Sequence, residues 1–367
     1  MSLINRKTLA TVGATAIAIA TTALFATPAQ AASAGLAKVV GTKTVQFQAL
    51  LGKSNSVKLS ISGRTVTITD KVAIKAGKGC KSVNSKKVRC TTKAKTAKLS
   101  VALGDKNDYV RNYTNVYLLV DAGSGNDTVI GGNASEELQG DSGNDRIYGN
   151  GGNDKLIAEG GNDYVSAGAG NDQIWGGTGA DALHGGAGMD KFSGGTGNDT
   201  LTGGTQVDVL SGDDGNDYIY GGAGEYTSGG LIYGDTVYGG NGNDTIHGEA
   251  DTDIIDGGNG NDRITAGADF DVVEGKAGND LIWGNEGDDI LAGESYDQVT
   301  GAPIGSATAA DAIDGGPNAT DGDLCLVTGS STIRNCEYSA GDLGASSLSV
   351  AGGPDFASRL ATVRPAK

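Results

Sequence analysis

The stretch Gly194-Gly195-Thr196-Gly197-Asn198-Asp199-Thr200-Leu201-Thr202 is one of twenty consecutive nine-residue blocks that run from Ala122 to Gly301. Seventeen of the blocks have Asp at the sixth position, and eighteen have an aliphatic residue or Phe at the eighth. Glycine is frequent at the first, second and fourth positions. An internal repeat of this kind predicts a solenoid in which each copy is one structural unit.

Only a few positions depart from the pattern. Glu136, Tyr226 and Gln298 replace the Asp at position six, and Ser228 and Thr300 replace the apolar residue at position eight. A solvated linker would have no reason to keep an apolar residue at a fixed place in every block. The repeat therefore favours a folded structure over a turn-rich linker.

Each block predicts a turn followed by a short strand. The glycines permit the positive φ angles of a tight turn. The next three residues, such as Thr200–Thr202, resemble a strand whose middle side chain points inward. Two units would close a coil of eighteen residues, so we expect an all-β fold, a parallel β-roll of about ten coils with a narrow apolar core.

In this arrangement the position-six residues alternate between two edges. One edge is expected to hold Asp127, Asp145, Asp163, Asp181, Asp199, Asp217, Asp235, Asp253, Asp271 and Asp289. The other is expected to hold Glu136, Asp154, Asp172, Asp190, Asp208, Tyr226, Asp244, Asp262, Asp280 and Gln298. All three exceptions fall on this second edge, so we expect the block Gly221–Gly229 to bulge or to lack a metal ion.

Stacked carboxylates need a counter-charge. At a strand spacing of roughly 4.8 Å, neighbouring carboxylates repel by about 1 kcal/mol in water and by several at lower dielectric. Burial of one aliphatic side chain per block contributes about 1.5–3 kcal/mol. This cannot offset the conformational entropy that is lost when the backbone of nine residues becomes ordered. Calcium, which accepts six to eight oxygen ligands in flexible geometry, fits carboxylates and turn carbonyls better than magnesium does. The Asp residues at position six are thus predicted metal ligands, and several calcium ions the predicted cofactor.

The blocks resemble the G-G-x-G-x-D-x-U-x repeat of RTX (repeats-in-toxin, haemolysin-type) proteins, which bind calcium in a parallel β-roll. The resemblance covers Ala122–Gly301 and implies the same fold and ion. With the N-terminal segment and cysteines described next, the chain resembles the short secreted RTX-repeat proteins of high-GC Gram-positive bacteria.

The N-terminal segment 1–31 predicts a secretory signal peptide. Arg6 and Lys7 precede an apolar stretch, and Ala29-Gln30-Ala31 is a small-residue cleavage site. No other stretch is long and apolar enough to predict a transmembrane segment. We therefore expect a secreted, extracellular protein that is soluble or associated with the cell surface by binding.

The four cysteines predict two disulfides in such a protein, Cys80 with Cys90 and Cys325 with Cys336. The alternative, a metal site of four thiolates, lacks the close Cys-x-x-Cys spacing of zinc sites.

The charge divides the chain. Residues 32–111 contain seventeen Lys or Arg and three Asp, a net +14, whereas residues 122–301 are at −28. We expect a basic β-rich N-terminal module at 32–103, either separate or the first coils of the solenoid. The roll should occupy 104–316, a C-terminal cap 317–338 and a flexible tail 339–367.

We expect a calcium-binding structural or binding protein and not an enzyme, because the chain has two histidines and no visible catalytic constellation. Two alternatives remain open. The basic module could attach the protein to anionic wall polymer or another glycan, as an adhesin does. The roll could instead be the accessory module of a polysaccharide-active enzyme. Nucleic acid is not an expected partner, and the oligomeric state is not predicted.

Overall fold

A computed structural model describes residues 34–224, 226–228, 231–293, 295–296, 303–304, 311–316, 324–326, 332–336 and 338–339. Every regular element in these residues is a β-strand, and none of them forms a helix long and apolar enough to span a membrane. The signal segment 1–31, Gln298, Thr300 and the tail beyond Ser339 lie outside the described residues.

Seven strands precede the repeats: β1 (Gly35–Val40), β2 (Thr44–Gln48), β3 (Ser56–Ser62), β4 (Thr65–Thr69), β5 (Ile74–Ala76), β6 (Cys80–Asn84) and β7 (Lys87–Thr91). The next fourteen are β8 (Lys98–Asp105), β9 (Tyr109–Asn112), β10 (Tyr117–Ser124), β11 (Thr128–Ile130), β12 (Glu137–Ser142), β13 (Arg146–Gly151), β14 (Lys155–Gly160), β15 (Tyr164–Ala169), β16 (Gln173–Thr178), β17 (Ala182–Ala187), β18 (Lys191–Thr196), β19 (Thr200–Thr205), β20 (Val209–Asp214) and β21 (Tyr218–Ala223). The remaining strands are β22 (Tyr226–Ser228), β23 (Leu231–Tyr233), β24 (Thr236–Asn241), β25 (Thr245–Glu249), β26 (Ile254–Asn259), β27 (Arg263–Ala268), β28 (Val272–Ala277), β29 (Leu281–Glu286), β30 (Ile290–Ala292), β31 (Ser295–Tyr296), β32 (Pro303–Ile304), β33 (Ala312–Asp314), β34 (Leu324–Leu326), β35 (Thr332–Arg334) and β36 (Tyr338–Ser339).

The chain alternates between two sixteen-stranded sheets. The first sheet has the order β36-β34-β30-β28-β26-β24-β20-β18-β16-β14-β12-β10-β8-β2-β1-β5. The second has the order β35-β33-β29-β27-β25-β21-β19-β17-β15-β13-β11-β9-β3-β4-β7-β6. Within the repeats, neighbouring strands are parallel and pair residues eighteen apart, such as Leu156 with Ile174. The predicted parallel β-roll of eighteen-residue coils is confirmed.

The position-eight side chains of both sheets fill one narrow core, as predicted. The buried residues of this set are Val129, Leu138, Ile147, Leu156, Val165, Ile174, Leu183, Phe192, Leu201, Leu210, Ile219, Val237, Ile246, Ile255, Ile264, Val273, Ile282 and Leu291.

A nine-residue insertion, 225–233, interrupts the roll. Strands β22 and β23 pair with each other as an antiparallel hairpin. Strand β24 then follows β20 in the first sheet, with Val209 opposite Thr236, twenty-seven residues later. The flanking segments Gly221–Gly224 and Gly234–Tyr238 together give Gly-Gly-Ala-Gly-Gly-Asp-Thr-Val-Tyr, which is one complete block.

The insertion has the same length as a block. The nine-residue spacing of the sequence therefore continues through it, although the eighteen-residue coil of the structure is interrupted. The predicted bulge at Gly221–Gly229 is therefore misplaced. Gly221 and Ala223 stay within β21, and the hairpin begins at Tyr226.

The C-terminal end contains a second interruption. Strands β31 and β32 pair antiparallel, and β33 follows β29 with Leu281 opposite Ala312, thirty-one residues later. Cys325 on β34 is bonded to Cys336, which follows β35, so the predicted disulfide is confirmed and ties the ends of the two sheets together.

The N-terminal strands continue both sheets. Strand β2 pairs in parallel with β8 and strand β3 with β9. Beyond them the direction changes, because β1 runs antiparallel to β2 and the second sheet ends in the antiparallel run β3-β4-β7-β6. Cys80 and Cys90 lie opposite each other on β6 and β7 and form the other predicted disulfide, which is also confirmed. We call residues 35–97 the N-terminal cap, because β8 and β9 already pair in parallel with β10 and β11 as the strands of the first coil.

Candidate metal centres at the two edges

The position-six carboxylates lie inside the coil, where the turn passes into the strand. The Asp127 backbone N–H donates to Asp145 Oδ1 over 2.7 Å, and the Asp145 N–H donates to Asp163 Oδ1 over 2.6 Å. On the opposite edge the Asp154 N–H donates to Asp172 Oδ1 over 2.7 Å. Each carboxylate is thus fixed by the backbone of the preceding coil through one of its two oxygens.

The second oxygen of these carboxylates is buried without a protein hydrogen-bond donor. The described residues with such an Oδ2 atom include Asp127, Asp145, Asp154, Asp163, Asp172, Asp181, Asp190, Asp199, Asp208, Asp217, Asp244, Asp253, Asp262 and Asp271. Leaving one buried acceptor unsatisfied costs about 1–3 kcal/mol, and more when it is charged. A row of such atoms along each edge therefore indicates that the carboxylates are arranged to bind cations.

Burial raises the pKa of these carboxyls far above the ordinary value for Asp. It raises the pKa of Asp145 and Asp190 to about 7, and that of Asp154, Asp208 and Asp217 to about 8. Neighbouring carboxylates of the same ladder raise these pKa values further, while a backbone N–H donor lowers the pKa of each of the five. Without a cation, the roll would hold protons at neutral pH. A bound cation reverses this preference, because its charge favours the ionised form.

Position-one glycines leave the space beside these oxygens open. A Cβ added at Gly149 would lie 2.5 Å from both Asp154 Oδ2 and the Ala167 carbonyl oxygen. A Cβ at Gly176 would meet Asp181 Oδ2 and the Gly194 carbonyl oxygen at the same distances. At these glycines a carboxylate oxygen and a carbonyl oxygen of the next coil thus lie close to the same place, whereas Ala158, Ala167 and Ala266 have a buried methyl group at position one of their blocks.

This donor set fits calcium. Among the described residues, no three His, Cys, Asp or Glu side chains come together as a metal cluster. An ion at an edge must therefore take most of its ligands from backbone carbonyls, with few carboxylates. Calcium accepts such all-oxygen, irregular shells, whereas zinc prefers His and Cys, and magnesium requires a tight octahedron.

The two predicted edges are correct only as far as Asp208 and Asp217. The Asp208 N–H donates to Asp235 Oδ1 over 2.7 Å, and the Asp217 N–H donates to Asp244 Oδ1 over 2.9 Å. The insertion 225–233 shifts everything after it by half a coil, so later residues exchange edges. One edge contains Asp127, Asp145, Asp163, Asp181, Asp199, Asp217, Asp244, Asp262 and Asp280. The other contains Glu136, Asp154, Asp172, Asp190, Asp208, Asp235, Asp253, Asp271 and Asp289.

Tyr226 therefore does not follow Asp208 in the ladder. The expectation that the second edge is broken at this point is wrong, because the hairpin removes Tyr226 from the coil. The same shift places Trp175 on the first sheet and Trp283 on the second. The two tryptophans lie twelve blocks apart, so an uninterrupted count of blocks would place both on one sheet.

Glu136 starts its edge differently from the Asp residues. The Gly132 N–H donates to both of its carboxylate oxygens over 2.8 Å, and Asn112 Nδ2 donates to Oε1 over 2.8 Å. Protein donors thus satisfy both carboxylate oxygens of Glu136. It therefore lacks the unpaired oxygen that the neighbouring Asp residues have.

The structure also adds residues that the sequence prediction missed. Asp108 and Asp311 continue the first of these edges at its two ends, because Asp108 N–H donates to Asp127 Oδ1 and Asp280 N–H donates to Asp311 Oδ1. Their partial blocks, Gly104–Val110 and Asp311–Gly316, were visible in the sequence. Position-five Asn residues form an outer ladder in which each Oδ1 accepts the next backbone N–H, as between Asn126 and Asn144 at 3.0 Å.

A parallel β-roll with buried carboxylates above glycine turns at both edges defines a cation-stabilised solenoid protein. A family model, the RTX calcium-binding nonapeptide repeat (4 copies), matches residues 119–135, 130–165, 157–192, 193–227, 230–264 and 265–295. Residues 119–295 are therefore a run of RTX calcium-binding nonapeptide repeats, and they fold as a calcium-binding β-roll. No curated protein matches the chain.

Proposed function

We propose that this protein is secreted and works outside the cell as a structural or binding protein whose roll folds when calcium is bound. The signal-like segment 1–31 supports export, and the two disulfides support an oxidising compartment. The observation that carries the proposal is the row of buried Asp Oδ2 atoms without a protein donor. Calcium is scarce in the cytosol and plentiful outside, so the edges would stay empty until export.

The test is expression with the native N-terminus, followed by fractionation. We expect the protein in the medium, beginning at Ala32, and folded there with calcium. Residues 32–367 made in a reducing cytosol should be protease-sensitive in the lysate until calcium is added. Retention of residues 1–31, or resistance in chelator, would contradict export-gated folding.

We also propose that the protein is not an enzyme. Both histidines lie on the outer face of the second sheet against tyrosine rings. His184 is 5.4 Å from the Tyr164 ring, and His247 stacks on Tyr220 at 5.1 Å. Burial lowers the pKa of His184. These contacts suit a recognition surface better than acid–base chemistry.

A second function, attachment to an anionic polysaccharide, is favoured by the outer face of the second sheet. Its positions seven and nine contain no acidic residue from β9 to β29, in a chain of net charge −16. We call this set the acid-free face: Tyr109, Arg111, Thr128, Ile130, Arg146, Tyr148, Tyr164, Ser166, Ala182, His184, Thr200, Thr202, Tyr218, Tyr220, Thr245, His247, Arg263, Thr265, Leu281 and Trp283. Glu249 and Glu286 lie near it only at strand ends. The equivalent positions of the first sheet include Asp121, Glu137 and Glu274.

The N-terminal cap extends this face with denser positive charge. Lys58 lies opposite Arg111, and Lys81 lies opposite Arg89. All four side chains are exposed. Thr67 and Thr69 lie on the strand between them.

A polysaccharide fits this face better than nucleic acid does. Along the repeats, Arg146 and Arg263 are separated by several coils, which is too sparse to match one phosphate per nucleotide. Thr, Ser and Tyr hydroxyls can bind sugar hydroxyls, and the Tyr148, Tyr164 and His184 rings, 5.4–5.8 Å apart, offer a continuous surface for sugar rings.

Binding of the calcium-loaded full chain to polygalacturonate, with a neutral glucan alongside, tests this function. Arg89→Ser with Arg111→Ser should weaken binding by about tenfold or more. The control, Lys98→Ser with Lys191→Ser on the first sheet, removes the same charge and should have little effect. Equal loss in both pairs would indicate non-specific charge attraction and refute a dedicated face.

A further inference from the structure

We propose an additional calcium site outside the nonapeptide repeats, built from Asn55, Asp70 and Asp108 where the N-terminal cap joins the roll. The family match begins at residue 119, so none of these residues belongs to a recognised repeat. The proposal rests on calcium binding by the roll, and it adds an ion that would fasten the cap to the first coil.

The three side chains are almost completely buried. Asn55, Asp70 and Asp108 are 1%, 3% and 4% exposed. They come from three separate segments: the connection after β2, the residue after β4 and the turn before β9. Three polar groups from distant parts of the sequence are thus withdrawn from water at one junction.

In each Asp one carboxylate oxygen accepts a backbone N–H, whereas the other has no donor. The amide oxygen of Asn55 also has no donor. Asp108 Oδ1 accepts the Asn55 N–H at 2.5 Å, and Asp70 Oδ1 accepts the Ser56 N–H at 2.7 Å. Asn55 Nδ2 donates to the Lys53 carbonyl oxygen at 2.8 Å and to Asp108 Oδ1 at 3.3 Å. Asn55 Oδ1, Asp70 Oδ2 and Asp108 Oδ2 are buried and have no partner. The unpaired amide oxygen is an observation independent of the acidic pair.

The junction repeats the geometry of the edge with different residues. Asn55 N–H donates to Asp108, and Asp108 N–H donates to Asp127, just as Asp127 donates to Asp145. Asn55 therefore takes the ladder position of an Asp but lacks its charge. Asp70, which follows the antiparallel strand β4, contributes a carboxylate at the same place.

Two carboxylates and an amide carbonyl form a hard oxygen donor set, with room for backbone carbonyls and water, which suits a divalent cation and calcium best. The exposed Lys71, next in the chain to Asp70, acts on both carboxylates through its charge, and the backbone N–H groups of Lys71 and Val72 approach the Asp70 carboxylate. Neither residue supplies a hydrogen bond to Asn55 Oδ1 or Asp108 Oδ2.

Native mass spectrometry of the calcium-loaded full chain can count the ions. Asp70→Asn and Asp108→Asn keep the Oδ1 acceptor and the side-chain shape, and each should bind one ion fewer than wild type. Asp105→Asn is the matched control: it removes the same charge three residues from Asp108, its Oδ1 accepts the Gly52 N–H, and its ion count should not change. An unchanged count in both Asp70→Asn and Asp108→Asn overturns the proposal.

Asn55→Asp separates the proposal from a purely structural role, even if the other variants fold poorly. With an ion present, a third carboxylate should load this site at about tenfold lower calcium, because ligand charge sets affinity. Without an ion, it would add repulsion and destabilise the cap at every calcium concentration, which would overturn the site. If wild type binds no calcium at all, the calcium-binding function itself fails, and the two failures are distinguishable.

Discussion

In the N-terminal cap, strands β2, β3, β4 and β7 bury an apolar side chain at every second residue, including Phe47, Leu59 and Ile68, and a disulfide joins β6 to β7. In the roll, one position of nine supplies the main core, and each turn buries a carboxylate. The same two sheets pass through both regions. Hydrogen-bonded sheets can thus be continuous while the source of their stability changes from apolar burial to cation binding.

The largest expected difference between the regions is in their response to pH. The raised pKa of the ladder carboxyls means that the folded roll binds protons more tightly than the unfolded chain does. In chelator, this contribution is fully present below the unfolded pKa near 3.8 and is lost as the pH rises through about 7–8.

Metal-free roll should therefore gain β structure as the pH falls from 8 to 5, whereas calcium-loaded roll should lose stability because protons compete for the carboxylates. Far-UV circular dichroism across this range, with and without chelator, measures both trends. Parallel trends in the two conditions would contradict cation binding at the edges.

Two deletions should show that a coil of the roll contributes to calcium binding and that the inserted hairpin does not. Removing the coil 185–202 should cost the ions of one coil, measurable by native mass spectrometry. Removing 225–233 should leave the ion count unchanged and shift stability by about 0.5 kcal/mol or less, because the remaining residues form a complete block. Loss of ions in the second deletion would mean that the hairpin belongs to the metal sites.

For stability and calcium affinity, the open space beside a position-one glycine should matter more than the backbone flexibility that any glycine provides. Gly176→Ala would press a methyl group against Asp181 Oδ2 and the Gly194 carbonyl, and should cost about 1–3 kcal/mol together with calcium affinity. Gly151→Ala is the control, because its added Cβ would come no nearer than 3.7 Å to another atom. Calcium-dependent thermal melts compare the two. Equal losses would show that backbone flexibility, and not the open space, is what the glycines supply.

The smallest expected difference is between Asp208→Asn and Asp217→Asn. On an uninterrupted count Tyr226 would follow Asp208 and Asp235 would follow Asp217, which would make Asp217 the costlier loss, whereas the structure gives both residues an Asp neighbour in the next coil. Calcium stoichiometry and melting temperature should therefore change to the same extent. A clearly larger loss at Asp217 would favour the uninterrupted numbering over the extruded hairpin.

The sequence sufficed for the coil, the inward position eight, the rows of position-six carboxylates and both disulfides, because each depends on local spacing. The edge and sheet of the residues after the insertion could not be predicted, since the insertion has the length of one block. Tyr226 and Ser228, which both depart from the pattern within one block, were the available signal. The acid-free face and the Asn55–Asp70–Asp108 junction depend on which distant strands are neighbours, and no periodicity encodes that.

Residue-resolved hydrogen exchange of the full chain, in chelator and in calcium at neutral pH, tests the central claim most directly. Amides of β12–β21 and β24–β29 should exchange rapidly in chelator and become protected in calcium, whereas those of β4 and β7 in the disulfide-bonded cap should be protected in both. Equal protection of the roll in both conditions would show that its buried carboxylates do not require a cation, and would contradict the account.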